Sequence, residues 1–292
     1  MTEKNNNERV TIITVTHNSM QVLPAMLASV PVGTKVIIID NCSNDLIALK
    51  DLCSRLGVAL IENSANEGFG TACNRGAELA TSEFMLFLNP DSILMSDTLD
   101  ELAKAAQRNP TATGFNPRIE SDNGKPSFNY KSSLLPRSKW MDRGWPSSDC
   151  EVNILSGCAM FIPRLDFIAL GGFDPEIFLF HEDDDLALRL RKRGPLVFVY
   201  DALIRHSVGS SSGGSLEVAV FKEWHLGYSR VYVMRKHGLA FPFIRSLARA
   251  IFKVASPIVL LSHQKRAIRW SFLQGTFSAF SDTQTRQKNE KT

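Results

Sequence analysis

In the first ninety or so residues, four apolar runs each stop at a cluster of polar residues before a helical pattern begins, and this alternation leaves few architectures open. Val10–Thr16 ends in Thr16-His17-Asn18-Ser19 and leads to a helix over Met20–Ser29. Lys35–Ile39 ends in Asp40-Asn41-Cys42-Ser43-Asn44-Asp45, ahead of a helix over Leu46–Leu56. Val58–Ile61 follows, and Asn66-Glu67-Gly68-Phe69-Gly70 opens the next helix. Phe84–Leu88 stops at Asn89-Pro90-Asp91, because proline cannot donate to a strand ladder. The spacing predicts an α/β chain with a Rossmann-like, mostly parallel sheet flanked by helices. Such sheets bind ligands beyond the carboxyl ends of their strands, where these polar clusters fall.

The residue types at those ends narrow the chemistry. Asp91 is suited to hold a hard cation, Mg²⁺ or Mn²⁺, that neutralises a substrate's phosphates; a polar turn closing the strand is the plainer reading. Asp40 can accept hydrogen bonds from a nucleotide's ribose or base, or can cap the next helix. His17 can contact a base or stay solvated. The first turn lacks G-x-G-x-x-G, so a dinucleotide site is not expected.

Beyond the fourth run, Ser96–Arg108 predicts an amphipathic helix with Leu99, Leu102, Ala103 and Ala106 on one face, stopped at Asn109-Pro110. Residues 116–149 turn polar and irregular, with Pro126, Pro136, Pro146, Arg137, Lys139 and Trp145, and read as a flap or as plain disorder. Val152–Ile162 predicts one strand whose Ser156-Gly157 either admits a ligand to the backbone or marks a bulge. His181-Glu182-Asp183-Asp184-Asp185 then opens a leucine-rich helix. Helical spacing puts Asp183 on the inward face with Leu186 and Leu190, and leaves Asp185 to pair outward with Arg189. Leu196–Tyr200 predicts a further strand, followed by His206 and a Gly/Ser-rich stretch, Ser210–Ser215, with the composition of a phosphate-closing loop or a linker.

Charge is unevenly spread. Trp224–Ser281 carries nine Lys and Arg and no acid, the last eleven residues contribute +1, and an overall +3 therefore leaves −7 on the first 223 residues. Within the basic segment Ile244, Leu247, Ala248, Ile251 and Phe252 form an apolar stripe beside Arg245, Arg249 and Lys253. That pattern suits a helix lying on anionic lipid, or a stripe packed on a core. The polar Met1–Arg9 is not a signal peptide, and Val254–Leu261, interrupted by Ser256 and Pro257, falls short of the roughly 20 residues a spanning helix needs. The expected location is therefore cytoplasmic and peripheral at the inner face of the membrane. The five cysteines lack metal-ligand spacing and read as free, packed thiols, and the basic segment carries no nucleic-acid-binding motif.

Val-Thr-Ile-Ile-Thr-Val-Thr-His-Asn-Ser, Ile-Ile-Ile-Asp-Asn-Cys-Ser-Asn-Asp, Asn-Glu-Gly-Phe-Gly-Thr-Ala-Cys-Asn-Arg-Gly and Leu-Asn-Pro-Asp, in this order, resemble glycosyltransferase family 2 and its rhamnosyltransferase-like branch. The resemblance covers about residues 9–235 and implies the GT-A fold. With the charge pattern beyond it, the expected division is a disordered N-terminus over 1–9, a glycosyltransferase domain over 10–223 (nucleotide-sugar half 10–115, acceptor half 116–223), a basic helical extension over 224–281 and a disordered tail over 282–292. Carried over residue by residue, Thr16, His17 and Asn18 line the nucleotide pocket, Asp40 meets the pyrimidine, and Asn66 and Asn74 hold the nucleotide and the loop around it. Asn89 stands in place of the first carboxylate of the family's D-x-D pattern, Asp91 ligates the cation on the diphosphate, and His206 reaches back to it. Glu182-Asp183 matches the Glu-Asp motif, with Asp183 as base and Glu182 on an acceptor hydroxyl. The activity implied is inverting transfer of a sugar, L-rhamnose from a dTDP donor or a sugar from a UDP donor, to a lipid-linked saccharide for O-antigen or capsule. The inner-leaflet surface would be met by residues 240–270. The alternatives are a sugar-nucleotide nucleotidyltransferase and a non-catalytic nucleotide-sugar-binding protein.

Overall fold

The computed structural model describes residues 6–207, 214–255, 259 and 262–289. It divides into two compact units: one takes the chain up to Pro175 together with Asp183 through the ninth strand, and the other takes Glu176–Glu182 with the C-terminal helices.

In the first unit β1 (Val10–Thr16), β2 (Lys35–Asp40), β3 (Ala59–Glu62) and β4 (Phe84–Leu88) run parallel in the order β3-β2-β1-β4. Helices α1 (Leu23–Ala28), α2 (Leu46–Leu56) and α3 (Phe69–Leu79) make the crossovers. Both faces of this sheet are covered, so its central strands are continuous apolar runs. Ile12, Ile38, Phe84, Leu86 and Leu88 point into one core. Their neighbours Ile13, Ile37, Ile39, Met85 and Phe87 point into the other.

Past β4 the sheet becomes mixed. β5 (Ser92–Leu94) leads to α4 (Thr98–Arg108), which buries the four residues expected of it, and then to β6 (Gly114–Glu120). The single strand expected over Val152–Ile162 is two. β7 (Cys150–Val152) pairs antiparallel with β9 (Leu196–His206), whereas β8 (Ala159–Pro163) pairs antiparallel with β4. The break follows from the Asn116 side chain, which accepts from the Ser156 amide and donates to the Ser156 and Ala159 carbonyls, so that the backbone between the strands has partners outside the ladder. β9 runs parallel to β6 and continues six residues beyond the expected Tyr200, with a register shift opposite Pro117 and Arg118. Its end pairs antiparallel with β5, so His206 closes a strand rather than opening a loop. Helices α5 (Arg164–Ala169) and α6 (Glu182–Arg191) complete this part of the chain.

The irregular segment after β6 is fastened. Trp145 Nε1 donates to the Ile119 carbonyl (3.0 Å), Trp140 Nε1 to that of Ser132 (3.3 Å), and the Met141 amide to that of Tyr130 (2.8 Å). Ser132 and Leu134 are buried beneath it, so plain disorder does not describe it. At the N-terminus Asn6–Arg9 form a 3-10 turn, contrary to the expected disorder, because Arg9 pairs with Glu83 at 2.9 Å and Asn6 donates to Asp100.

The second unit packs α7 (Leu216–Lys236), α8 (Pro242–Val254) and α9 (His263–Asn289). α7 starts eight residues before the expected extension, with Ser215 Oγ accepting from the Val218 amide as its cap. α7 and α9 approach closely at Gly227 and Gly275, where a Cβ would meet the other helix's backbone. α9 runs through the tail expected to be disordered, as far as Asn289, and Tyr228 of α7 donates to Asp282 on it. On α8, Ser246 and Ala250 face inward while Ile244, Ile251 and Phe252 are exposed, so most of the apolar stripe is not used as core. No described helix is long and apolar enough to cross a membrane. Most of Ser210–Ser215 and of Val254–Leu261 lies outside the described residues.

Candidate active site

The polar clusters at the ends of β1 and β2 interlock. Thr16 pairs in register with Asp40, and the Asn41 amide donates to the Thr16 carbonyl at 2.8 Å. The chain reverses through Asn18, whose left-handed φ of 57° suits asparagine, and its side-chain oxygen accepts from the Asn44 amide (2.8 Å). His17 Nδ1 lies 2.9 Å from the Asn41 carbonyl, leaving Nε2 toward Asn18. Asp40 is almost wholly buried and accepts from the Ser43 amide at 3.1 and 3.3 Å. It is not the cap of α2, a place taken by Asp45.

Asn41, which was not singled out in the sequence, joins this corner together. Its Nδ2 donates to Asn66 Oδ1 (2.8 Å) and the Gly68 carbonyl (3.2 Å), and its Oδ1 accepts from Asn63 Nδ2 and the Glu67 amide (each 3.0 Å). Asn63 in turn accepts from Arg75. The available signal was an amide directly after the strand-end aspartate, in a chain with further asparagines at 63 and 66. Asn74 lies apart from this corner. Its amide is occupied by the Phe173 backbone, accepting at 2.8 Å and donating at 2.9 Å, which ties α3 to the turn after α5.

At the end of β4 the Asn89 amide donates to the Cys158 carbonyl (2.9 Å), continuing the β4–β8 ladder by one residue. Asp91 is nearly buried, and its Oδ1 lies 3.1 Å from His206 Nε2. The pairing of Ser92 with His206 and the bond from the Ser207 amide to the Asp91 carbonyl (3.1 Å) hold the two side by side. Two ligands at right angles, each about 2.1 Å from one ion, stand about 3 Å apart, so this pair fits a shared divalent cation. No group of three or more candidate metal-ligating side chains occurs among the described residues. A cation here would complete its shell with phosphate and water oxygens.

The acidic start of α6 adjoins β8. Asp183 Oδ2 accepts from the Gly157 amide (3.0 Å) and Oδ1 from the Asp184 amide (2.8 Å). A Cβ on Gly157 would stand 3.0 Å from the Asp183 side chain, so the glycine makes room for the carboxylate. The helical sorting of the acids is corrected at Asp185: it is 0% exposed and accepts from Arg189 Nε at 2.8 Å, whereas Asp183 is only partly buried. Asp183, the second residue of the helix, is turned to the Gly157 amide. Asp185 one turn before Arg189 takes the inward place, with Arg189 also donating to the Leu170 carbonyl (3.2 Å). Glu182 is buried, and the two residues before it, Phe180 and His181, both hold φ of 67°, a costly conformation for non-glycine residues.

Cys158 pairs with the Asn89 amide and directly follows Gly157, whose amide binds Asp183. Burial pushes its thiol up to about 12, the Ser156 hydrogen bond pulls it back, and the fields of Asp91 and Asp183 raise it further. One strand end thus brings Asn89, Asp91, His206 and Asp183 together.

A family model described as glycosyl transferase family 2 matches residues 11–170, more than half of the chain. The chain belongs to glycosyl transferase family 2. This glycosyltransferase is 30% identical over 237 residues to N-acetylglucosaminyl-diphospho-decaprenol L-rhamnosyltransferase of Mycobacterium tuberculosis, covering 69% of this chain and 77% of that protein. It is 25% identical over 255 residues to rhamnosyltransferase WbbL of Escherichia coli, covering 79% and 95%. Among solved structures it is similar in fold to S. aureus TarS 1–349 in complex with UDP (TM-score 0.56, 16% identity, 94% of this chain and 92% of that one). It is also similar to a Pyrobaculum calidifontis mannosyltransferase in complex with GDP-Man and Mn²⁺ (TM-score 0.55, 15% identity, 94% and 87%). Family membership sets aside the nucleotidyltransferase and non-catalytic alternatives.

Proposed function

We propose that this glycosyltransferase transfers L-rhamnose, with inversion, from a dTDP donor to a lipid-linked saccharide built for a surface polysaccharide such as O-antigen or capsule. Two relatives named as rhamnosyltransferases support the sugar, and the diphospho-decaprenol acceptor in the name of one supports the acceptor class.

The single observation that supports the mechanism is that Asn89 bonds to Cys158 across the β4–β8 ladder, with the Asp91–His206 pair next along one strand and the Gly157 amide that binds Asp183 next along the other. In this reading Thr16, His17, Asn18, Asp40 and Asn66 hold the nucleotide, and Asn74 holds the loop. Asn89 meets the diphosphate. Asp91 and His206 would hold Mg²⁺ or Mn²⁺, and the ion would supply positive charge against the departing diphosphate. Asp183, kept in place by the Gly157 amide, takes the proton of the acceptor hydroxyl as its oxygen attacks the anomeric carbon and the nucleoside diphosphate leaves from the opposite face. Glu182 orients the acceptor. The exposed stripe of α8 rests on the inner leaflet, where the acceptor's lipid is anchored.

The test is transfer from dTDP-rhamnose with Mn²⁺ to a short-chain prenyl-diphospho-N-acetylglucosamine. Asp183→Asn should lower kcat by about 10²–10⁴-fold while donor KM stays near wild type. Near wild-type turnover would remove Asp183 as base, and absence of dTDP release by the wild-type enzyme would overturn the donor.

A further inference from the structure

The segment between β6 and β7 carries a cluster that the catalytic reading does not use. Lys131 Nζ lies 5.0 Å from the centre of the Tyr130 ring and 5.7 Å from that of Trp140. Arg143 lies 5.5 Å from Tyr130, and Arg137 lies 5.8 Å from Trp140. Lys131, Arg137, Lys139, Trp140 and Arg143 are all exposed.

These cations have no carboxylate partner among the described residues. The nearby acids are engaged elsewhere: Asp149 with Arg108 (2.8 Å), Glu120 with Arg205 (2.6 Å) and Asp122 with the Ser207 hydroxyl (2.6 Å). Exposed Asp142 is the acid next in the chain to Arg143. Exposed cation–π contacts are weak, little reward for gathering like charges. The backbone beneath is anchored by buried Ser132 and Leu134, so the charges are presented on a fixed support.

The cluster is tied to the acceptor side of the site. Asn153 Nδ2 donates to the Lys139 carbonyl at 2.9 Å, and four residues on, the Gly157 amide holds Asp183. Four extended residues span at most about 14 Å. The Lys139 backbone, in the same segment as the cluster, is thus held a few residues from the amide that binds Asp183.

We infer that Lys131, Arg137 and Arg143, with the Tyr130 and Trp140 rings, form the acceptor's diphosphate-saccharide subsite, the cations binding the phosphates and an aromatic face receiving a sugar ring. The inference rests on the proposed lipid-linked acceptor, but its test does not require turnover. Binding of prenyl-diphospho-N-acetylglucosamine to the full chain, with dTDP and Mn²⁺ saturating the donor side, is compared with binding of octyl N-acetylglucosaminide, which lacks the diphosphate. Lys131→Gln combined with Arg143→Gln should raise Kd for the diphosphate probe about tenfold or more and leave Kd for dTDP unchanged. The octyl glycoside should bind wild type and variant alike. Trp140→Phe, which keeps a ring there, should bind the diphosphate probe more tightly than Trp140→Ala. An unchanged Kd in the double variant, or no binding of the diphosphate probe by the wild type, overturns the subsite. Binding that weakens as expected in a chain that transfers no sugar would sustain the subsite and defeat the proposed reaction instead.

Discussion

Asp183 and Asp185 show how much two positions can differ on one helix end. Helical periodicity assigns Asp183 inward and Asp185 outward, yet Asp185 is the fully buried one, neutralised by Arg189, and Asp183 faces the Gly157 amide. The first turn of a helix has unpaired amides and no preceding turn to pack on, so neighbouring loops decide where its side chains go. Cys158 shows the same dependence on surroundings. Its thiol, at about 12 in the fold, is raised above the ordinary cysteine range, so its contribution to stability is complete below about pH 8.5–9 and is lost as pH rises toward 12. Denaturant unfolding followed from pH 8 to 11 should show a fall in stability that shrinks in Cys158→Ala. Iodoacetamide at pH 8 should label exposed Cys42 and spare Cys158 until the chain unfolds. Equal labelling of the two would contradict this burial.

Among the elements, α8 departs most from what a packed helix does. Its inward residues are small, Ser246 and Ala250, while Phe252 is 82% exposed beside Arg245 and Arg249. Flotation with vesicles rich in phosphatidylglycerol should depend on salt, and Arg245→Glu with Arg249→Glu should cut partitioning on the order of tenfold or more. Ile251→Ser with Phe252→Ser should abolish it, and full flotation of either pair would assign the stripe another role. The strands carry a different lesson. The four parallel strands and the helices at 46–56 and 98–108 were legible because local periodicity and turn residues specify them. The division of Val152–Ile162 into β7 and β8 was not, since Asn116, forty residues away from Ser156, supplies the hydrogen bonds that permit it. The six extra residues of β9 were missed for a similar reason, because their partners lie in β5 and β6.

At the scale of the molecule, an acidic catalytic body and a basic helical extension occur in one chain, and the proposed cation is the charge that reconciles an acidic site with an anionic donor. Thermal unfolding should register this. At a hundredfold excess over Kd, dTDP with Mn²⁺ should raise Tm by about 5–10 °C, and Asp91→Asn should remove the Mn²⁺-dependent part. A Tm shift indifferent to Mn²⁺ in the wild type would argue for metal-free donor binding. By itself the sequence determined the class of sheet, the edge at which the polar motifs gather and the family, because each of these is written in short, contiguous patterns. Only the tertiary structure decided that Asn41 organises the corner expected to hold the nucleotide, that pairing of Ser92 with His206 sets His206 beside Asp91, and that Gly157 clears a place for Asp183. Those pairings join residues far apart in the chain, through strand registers and side-chain bonds that no local periodicity encodes.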